Sequence, residues 1–159
     1  MIFIGIDPGK SGALAAIGTG ENSHTITTIK FKEYAYRDYI RNLMMAMDES
    51  PRVYCVVEKV HAMPGQGVTS MFSFGENYGN IRGILESFFI PYELVDPRTW
   101  KKEFHLGRDK QDSILAAKAL FPGVNLKSTE RSTKDSDGIA EALLMAEYAR
   151  RSYSGKLKN

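Results

Sequence analysis

The sequence predicts an α/β domain built on a mixed sheet covered by helices. Three observations carry this. The chain opens with three short apolar runs separated by turns, which read as an antiparallel meander. It then alternates helical and strand-like segments, which calls for parallel strands joined by crossovers. It closes on a long Ala/Leu-rich helix. At 159 residues, with 43% hydrophobic and 25% charged residues, the chain suffices for one domain with its own core.

The elements follow in order. Ile2 to Asp7, Ala13 to Gly18 and Thr25 to Phe31 are the meander strands. Tyr36 to Asp48 places Ile40, Leu43, Met44 and Met47 on one helical face, ending near Pro51. Val53 to Glu58 is another buried strand, and HAMPGQGV at 61–68 is a loop. Met71 to Phe89 is helical, with Gly75, Gly79 and Gly83 repeating every four residues. Such a row lets another helix approach closely, across a dimer or against the chain's own sheet. Tyr92 to Val95 is a short strand; 98–104 and 109–120 are helices. The last helix spans 136–151, so the domain covers 1–152 and 153–159 is a polar tail.

Several classes are excluded by composition. No apolar run approaches the roughly 20 residues of a membrane span, and the N-terminus lacks the features of a signal peptide. The single cysteine, Cys55, sits in the apolar run VYCVV and reads as a core residue. The expected location is cytoplasmic. Net charge is only +2, yet residues 98–134 carry nine bases and four acids, a local +5 against −3 elsewhere. That segment, with Lys101, Lys102, Arg108, Lys110 and Lys134, could cradle a polyanion. A solvated helical face is the plainer reading of the same charges.

The carboxylates point to chemistry. Asp7 and Glu58 each end a buried strand. If those strands are parallel neighbours, the two acids lie side by side at a carboxyl edge, where ligands of open α/β sheets gather. They would repel each other unless a cation lay between them, and hard oxygen donors suit Mg²⁺ or Mn²⁺. Asp-Pro-Gly is also a turn sequence, which alone would account for Asp7. The segment TKDSDGIAEALLMA adds Asp135, Asp137 and Glu141 at a helix start. Acids favour helix N-termini through the dipole, and Ser132 to Asp135 has capping-box spacing. On the helix, Asp137 and Glu141 share a face and Asp135 points nearly opposite. Gly138 leaves room for something close beside Asp137. Two strand-end acids and a helical acid form the set that two-metal phosphodiester hydrolysis requires, with two ions per site.

Four blocks, IGIDPGKSGALA, VVEKVHAMPGQG, VDPRTWKK with GRDKQD, and KDSDGIAEALLMAEYARR, together resemble RuvC-type Holliday junction resolvases of the RNase H-like superfamily. Within that family the sequence looks most like the short phage-type and organellar branch. The resemblance implies an RNase H-like five-stranded sheet, and a homodimer that nicks opposing strands of a four-way DNA junction with Mg²⁺ or Mn²⁺. It gives Asp7, Glu58 and Asp137 catalytic roles. It also brings Lys101 and Lys110 to the scissile phosphate. Many members carry an acid or histidine where this chain has Lys134, which opens the question of the fourth ligand: helix-face geometry favours Glu141, and Asp135 would serve if the helix started later. Lys134 could instead neutralise phosphate charge.

Met63, Gln66, Phe72 and Phe74 put large side chains after Glu58, in a region that inserts beside the junction centre in resembling proteins. Stacking there is worth about 1–3 kcal/mol per base; core or dimer packing is the alternative for Phe72 and Phe74. His24, His61 and His105 read as surface or structural residues, Trp100 and Tyr148 as packing residues. Three competing functions remain: a fork or flap nuclease with the same motifs, a non-catalytic junction-binding module, and a sugar-kinase or actin-like ATPase. The last also opens on strand–Asp–x–Gly but needs two such domains.

Overall fold

The computed structural model describes residues 1–20, 24–32, 34–46, 52–61, 65 and 67–156. The strands are β1 (Ile2–Ile6), β2 (Ala13–Thr19), β3 (His24–Lys30), β4 (Val53–Glu58) and β5 (Tyr92–Val95). The helices are α1 (Ala35–Met45), α2 (Val68–Ser87), α3 (Pro97–Glu103), α4 (Lys110–Leu120) and α5 (Asp137–Lys156). The sheet runs β3-β2-β1-β4-β5. β1, β2 and β3 pair antiparallel, while β1–β4 and β4–β5 are parallel. The mixed five-stranded α/β architecture is as the sequence predicts.

Alternation divides the sheet between two cores. Phe3, Ala13, Ala15, Ile17 and Val56 face one layer with Trp100, Ile114 and the apolar side of α5. Ile4, Ile6, Leu14, Cys55 and Val57 face the other, with Tyr36 and Ile40 of α1 and Ile81, Ile84 and Leu85 of α2. Cys55 is buried and free, the core role expected of it.

α5 lies on β1 almost backbone to backbone. A Cβ at Gly5 would run into the main chain of Ala142 and Ala146, so the alanines of α5 are a condition of this contact. The helix continues past the predicted end, to Lys156. Tyr153, placed in the expected polar tail, packs its ring against Phe3 and Tyr54 at centroid distances of 5.8 and 5.4 Å. An apolar partner at each side of that ring keeps the last turns helical where composition alone read as tail.

The other differences are local. α5 is capped by Ser136, whose Oγ accepts from the Ile139 N–H at 3.4 Å. The Ser132–Asp135 capping box does not form: Ser132 bonds Ser128 and Thr129, and Asp135 precedes the helix in a bridge to Lys127. Gly75, Gly79 and Gly83 do not pack on the sheet. Among the described residues, a Cβ at any of them would meet open space. No helix among the described residues is long and apolar enough to cross a membrane.

Candidate active site

β1 and β4 set the site. Ile6 is paired with Val57 in their parallel ladder, so Asp7 and Glu58 are the next residues on adjacent strands. The two-residue period that sends Phe3 and Val56 toward α5 sends Asp7 and Glu58 the same way. The turn after β1 is held by its own hydrogen bonds. Asp7 N–H donates to Ala13 O (3.0 Å), Gly9 N–H to Asp7 Oδ1 (3.0 Å), and Gly12 N–H to Gly9 O (2.8 Å). Asp7 is thus both a turn residue and a member of an acidic cluster; the two readings are compatible.

α5 brings the other acids. Its first turn touches the turn after β1, because Gly138 has no side chain: a Cβ there would strike the backbone of Ser11 and Gly12. The room beside Asp137 is therefore filled by this chain's own loop. Asp137 and Glu141, one helical turn apart, are both largely shielded and electrostatically coupled to Asp7. Asp135 is elsewhere, ion-paired with Lys118. Of the two open choices for a fourth acid, the fold brings in Glu141.

The acids differ in electrostatics. Burial raises Asp7 from 3.8 to about 6; the Gly9 N–H opposes this, the charges of Glu141 and Asp137 add to it, and Lys101 opposes it. Glu58 rises from 4.5 to about 7, through burial first and then the charge of Asp7. The indole N–H of Trp100 donates to Glu58 Oε1 at 3.1 Å and partly offsets that rise. Burial also acts against Asp137, but its hydrogen bond and ion pair with Lys110 prevail and hold it below the usual carboxylate range. Lys101 Nζ and Ser113 Oγ both donate to Glu141 Oε1, at 2.8 and 3.2 Å.

Lys101 and Lys110, named from sequence, therefore sit on two of the four acids. Among the described residues, no three His, Cys, Asp or Glu side chains stand close enough to share one metal ion. Lys102 and Arg108 line a groove of about 630 Å³ with Arg98, Lys101 and His105. Lys134 lines a second groove with Lys30 and Arg131, beside Asp137. Phe72 is exposed and Phe74 half-buried on α2, so Phe72 is not a core residue. Met63 and Gln66 lie outside the described residues. His61 and His105 are exposed.

Trp100 was expected only to pack. It is fully buried, but its N–H also orients Glu58. A tryptophan next to Lys101 in a short helix was the available signal. Ser113 had none, since a serine in mid-helix carries no pattern of its own.

No protein-family model matches this sequence, and comparison with curated proteins finds no match. Solved structures do match. Thermus thermophilus RuvC in complex with Holliday junction substrate superposes with a TM-score of 0.62 at 12% identity, over 99% of this chain and 96% of that one. Another Thermus thermophilus RuvC structure gives 0.55 at 17% identity, over 96% and 97%. The fold is RuvC-like. Coverage is nearly complete in both directions, so the likeness of fold extends over nearly the whole chain.

Proposed function

We propose that this chain is a metal-dependent, structure-selective endonuclease that nicks four-way DNA junctions, a member of the short phage and organellar branch. The observation that carries it is the convergence of Asp7 and Glu58, from adjacent strand ends, with Asp137 and Glu141 of α5. The donor set suits hard cations. All four donors are carboxylates, and Asp7 and Glu58 lack the charge compensation that their burial requires. Two Mg²⁺ or Mn²⁺ ions held by Asp7, Glu58, Asp137 and Glu141 would supply the attacking water and stabilise the leaving oxygen.

The chain's own residues do the rest. Trp100 holds Glu58 in orientation. Loading requires Lys101 and Lys110 to release Glu141 and Asp137, which frees two ammonium groups at the site for the scissile phosphate. Arg98, Lys102, His105 and Arg108 offer the flanking backbone a cradle free of acids, and Lys134 lines a second groove together with Asp137. The exposed face of α2, with Val68, Phe72, Gly75, Gly79 and Gly83, supports a homodimer or a base-stacking surface.

The test is cleavage of a labelled immobile junction in Mg²⁺, with linear duplex and a replication fork as controls. Wild type should give paired nicks near the crossover. Asp7→Asn should bind the junction at least as tightly and cut nothing. Cleavage by Asp7→Asn would sink the mechanism. Equal cutting of the fork would make the junction assignment too narrow, and tight binding without cutting by wild type would favour a binding module.

A further inference from the structure

α2 turns an apolar stripe to the sheet through Ile81, Ile84 and Leu85. Asn77 occupies the next position of that stripe, one turn before Ile81, where an apolar side chain would pack. Its Nδ2 donates to the carbonyl of Pro8 at 2.6 Å. Its Oδ1 is buried and has no partner among the described residues. A half-satisfied buried amide is costly, and its retention calls for a reason. Pro8 supplies one, because it lies between Asp7 and the Gly9 N–H that bonds Asp7 Oδ1. The Tyr36 hydroxyl, buried in the same layer and also unpaired among the described residues, is electrostatically coupled to Asp7. Polar groups are thus set into an otherwise apolar layer where it passes behind the turn.

We infer that Asn77 is a positioning residue. It clamps the Asp7–Gly9 turn from the sheet face opposite α5, so the aim of the Asp7 carboxylate depends on the seating of α2. Gly138 of α5 braces the same turn from the other side. The turn is gripped by two helices, and only α2 also carries a broad exposed face. The consequence for cation binding rests on the nuclease reading; the clamp itself does not.

The experiment uses Asn77→Leu, which fills the apolar stripe, and Asn77→Ala. Amide hydrogen exchange is followed at Gly9 and Gly12, with Ile4 in β1 as internal reference, and Mn²⁺ affinity is measured by electron paramagnetic resonance alongside Asp7→Asn. In both variants exchange at Gly9 and Gly12 should rise about fivefold or more while Ile4 holds. Mn²⁺ affinity should fall about tenfold, and Asn77→Leu should melt no lower than wild type. Unchanged exchange at Gly9 and Gly12 overturns the clamp. Faster exchange at Ile4 as well shows a merely structural residue and overturns the positioning role, as does faster turn exchange with unaltered Mn²⁺ affinity. Wild type that binds no Mn²⁺ overturns the cation reading and the positioning role with it, while exchange still decides the clamp.

Discussion

α2 and α5 are both 20-residue helices on opposite faces of one sheet, and small residues do opposite things in them. In α5 they bring backbones together. Ala142 and Ala146 seat on Gly5, and Gly138 seats on Ser11 and Gly12. That contact plants Asp137 and Glu141 beside Asp7. In α2 they meet none of the chain's described elements: Gly75, Gly79 and Gly83 face open space among the described residues. Close packing therefore belongs to the face that holds the acidic cluster, and accessible surface to the face that is free to meet another molecule. A small residue in a helix has no fixed meaning until its facing partner is known.

The sharpest way to break this contrast is to put a side chain where α5 meets β1. Gly5→Val would push a branched side chain into the main chain of Ala142 and Ala146, which cannot rotate away. α5 would have to lift from the sheet along its central turns. A loss of about 4 kcal/mol is expected by denaturant unfolding, together with loss of the coupling among the four acids. A cost below about 1 kcal/mol would mean that α5 slides easily and that the acidic cluster is loosely held.

The next effect is electrostatic. The folded chain keeps the Asp7 proton up to about pH 6, whereas the unfolded chain releases it near the ordinary 3.8. Between those values the folded state binds more protons, so stability falls as pH rises through that window and is flat above it. Glu58 adds a second window from 4.5 to about 7. For Asp7 alone the loss between pH 4 and pH 8 is about 2 kcal/mol. Denaturant unfolding in chelator should show this decline for wild type, and Asp7→Asn should remove that share. Mn²⁺ at pH 8 should restore much of the stability, by compensating the charges that burial disfavours. A pH-independent wild type would mean the two acids are better solvated than their burial indicates.

The fold was legible in the sequence where local pattern and tertiary contact agree. Short apolar runs and the turns between β1, β2 and β3 gave the meander. Apolar runs ending in Asp7 and Glu58 gave the paired strand ends. What stayed hidden depends on through-space partners. Helix-face geometry favoured Glu141 as a fourth acid, but Asp135 stayed possible until the helix start was known. That start is decided by Ser136, one residue past the capping box the spacing suggested. Tyr153 read as tail because nothing local shows that Phe3 and Tyr54 are waiting for it. Trp100 read as packing because its burial is obvious in sequence and its N–H partner, 42 residues away, is not.

Trp100 offers a finer cut at the α5 face. Trp100→Phe keeps most of the ring volume and removes the donor to Glu58 Oε1. The loss should be about 2 kcal/mol at pH 8, because a hydrogen bond to a shielded carboxylate goes unreplaced. It should be smaller at pH 5, where Glu58 is protonated and asks less of its partner. The Glu58 carboxyl, followed by carbon-13 NMR, should titrate higher than in wild type. If it does not move, the indole packs beside Glu58 without orienting it.

The smallest expected effect tests the other face. Gly79→Ala adds a methyl where nothing among the described residues stands within reach, in the middle of a long helix. Isolated chains should gain about 0.5–1 kcal/mol, because alanine gives up less backbone freedom on folding. The sign is the opposite of that expected at Gly5, although both changes only add bulk to a glycine. At higher protein concentration the two readings of the α2 face separate. If a second copy packs against the glycine row, the methyl should hold the helices apart, and sedimentation should show a weaker dimer despite the more stable chain. If association is unchanged, the row is not the contact, and the exposed Phe72 edge of α2 is the surface to examine with DNA.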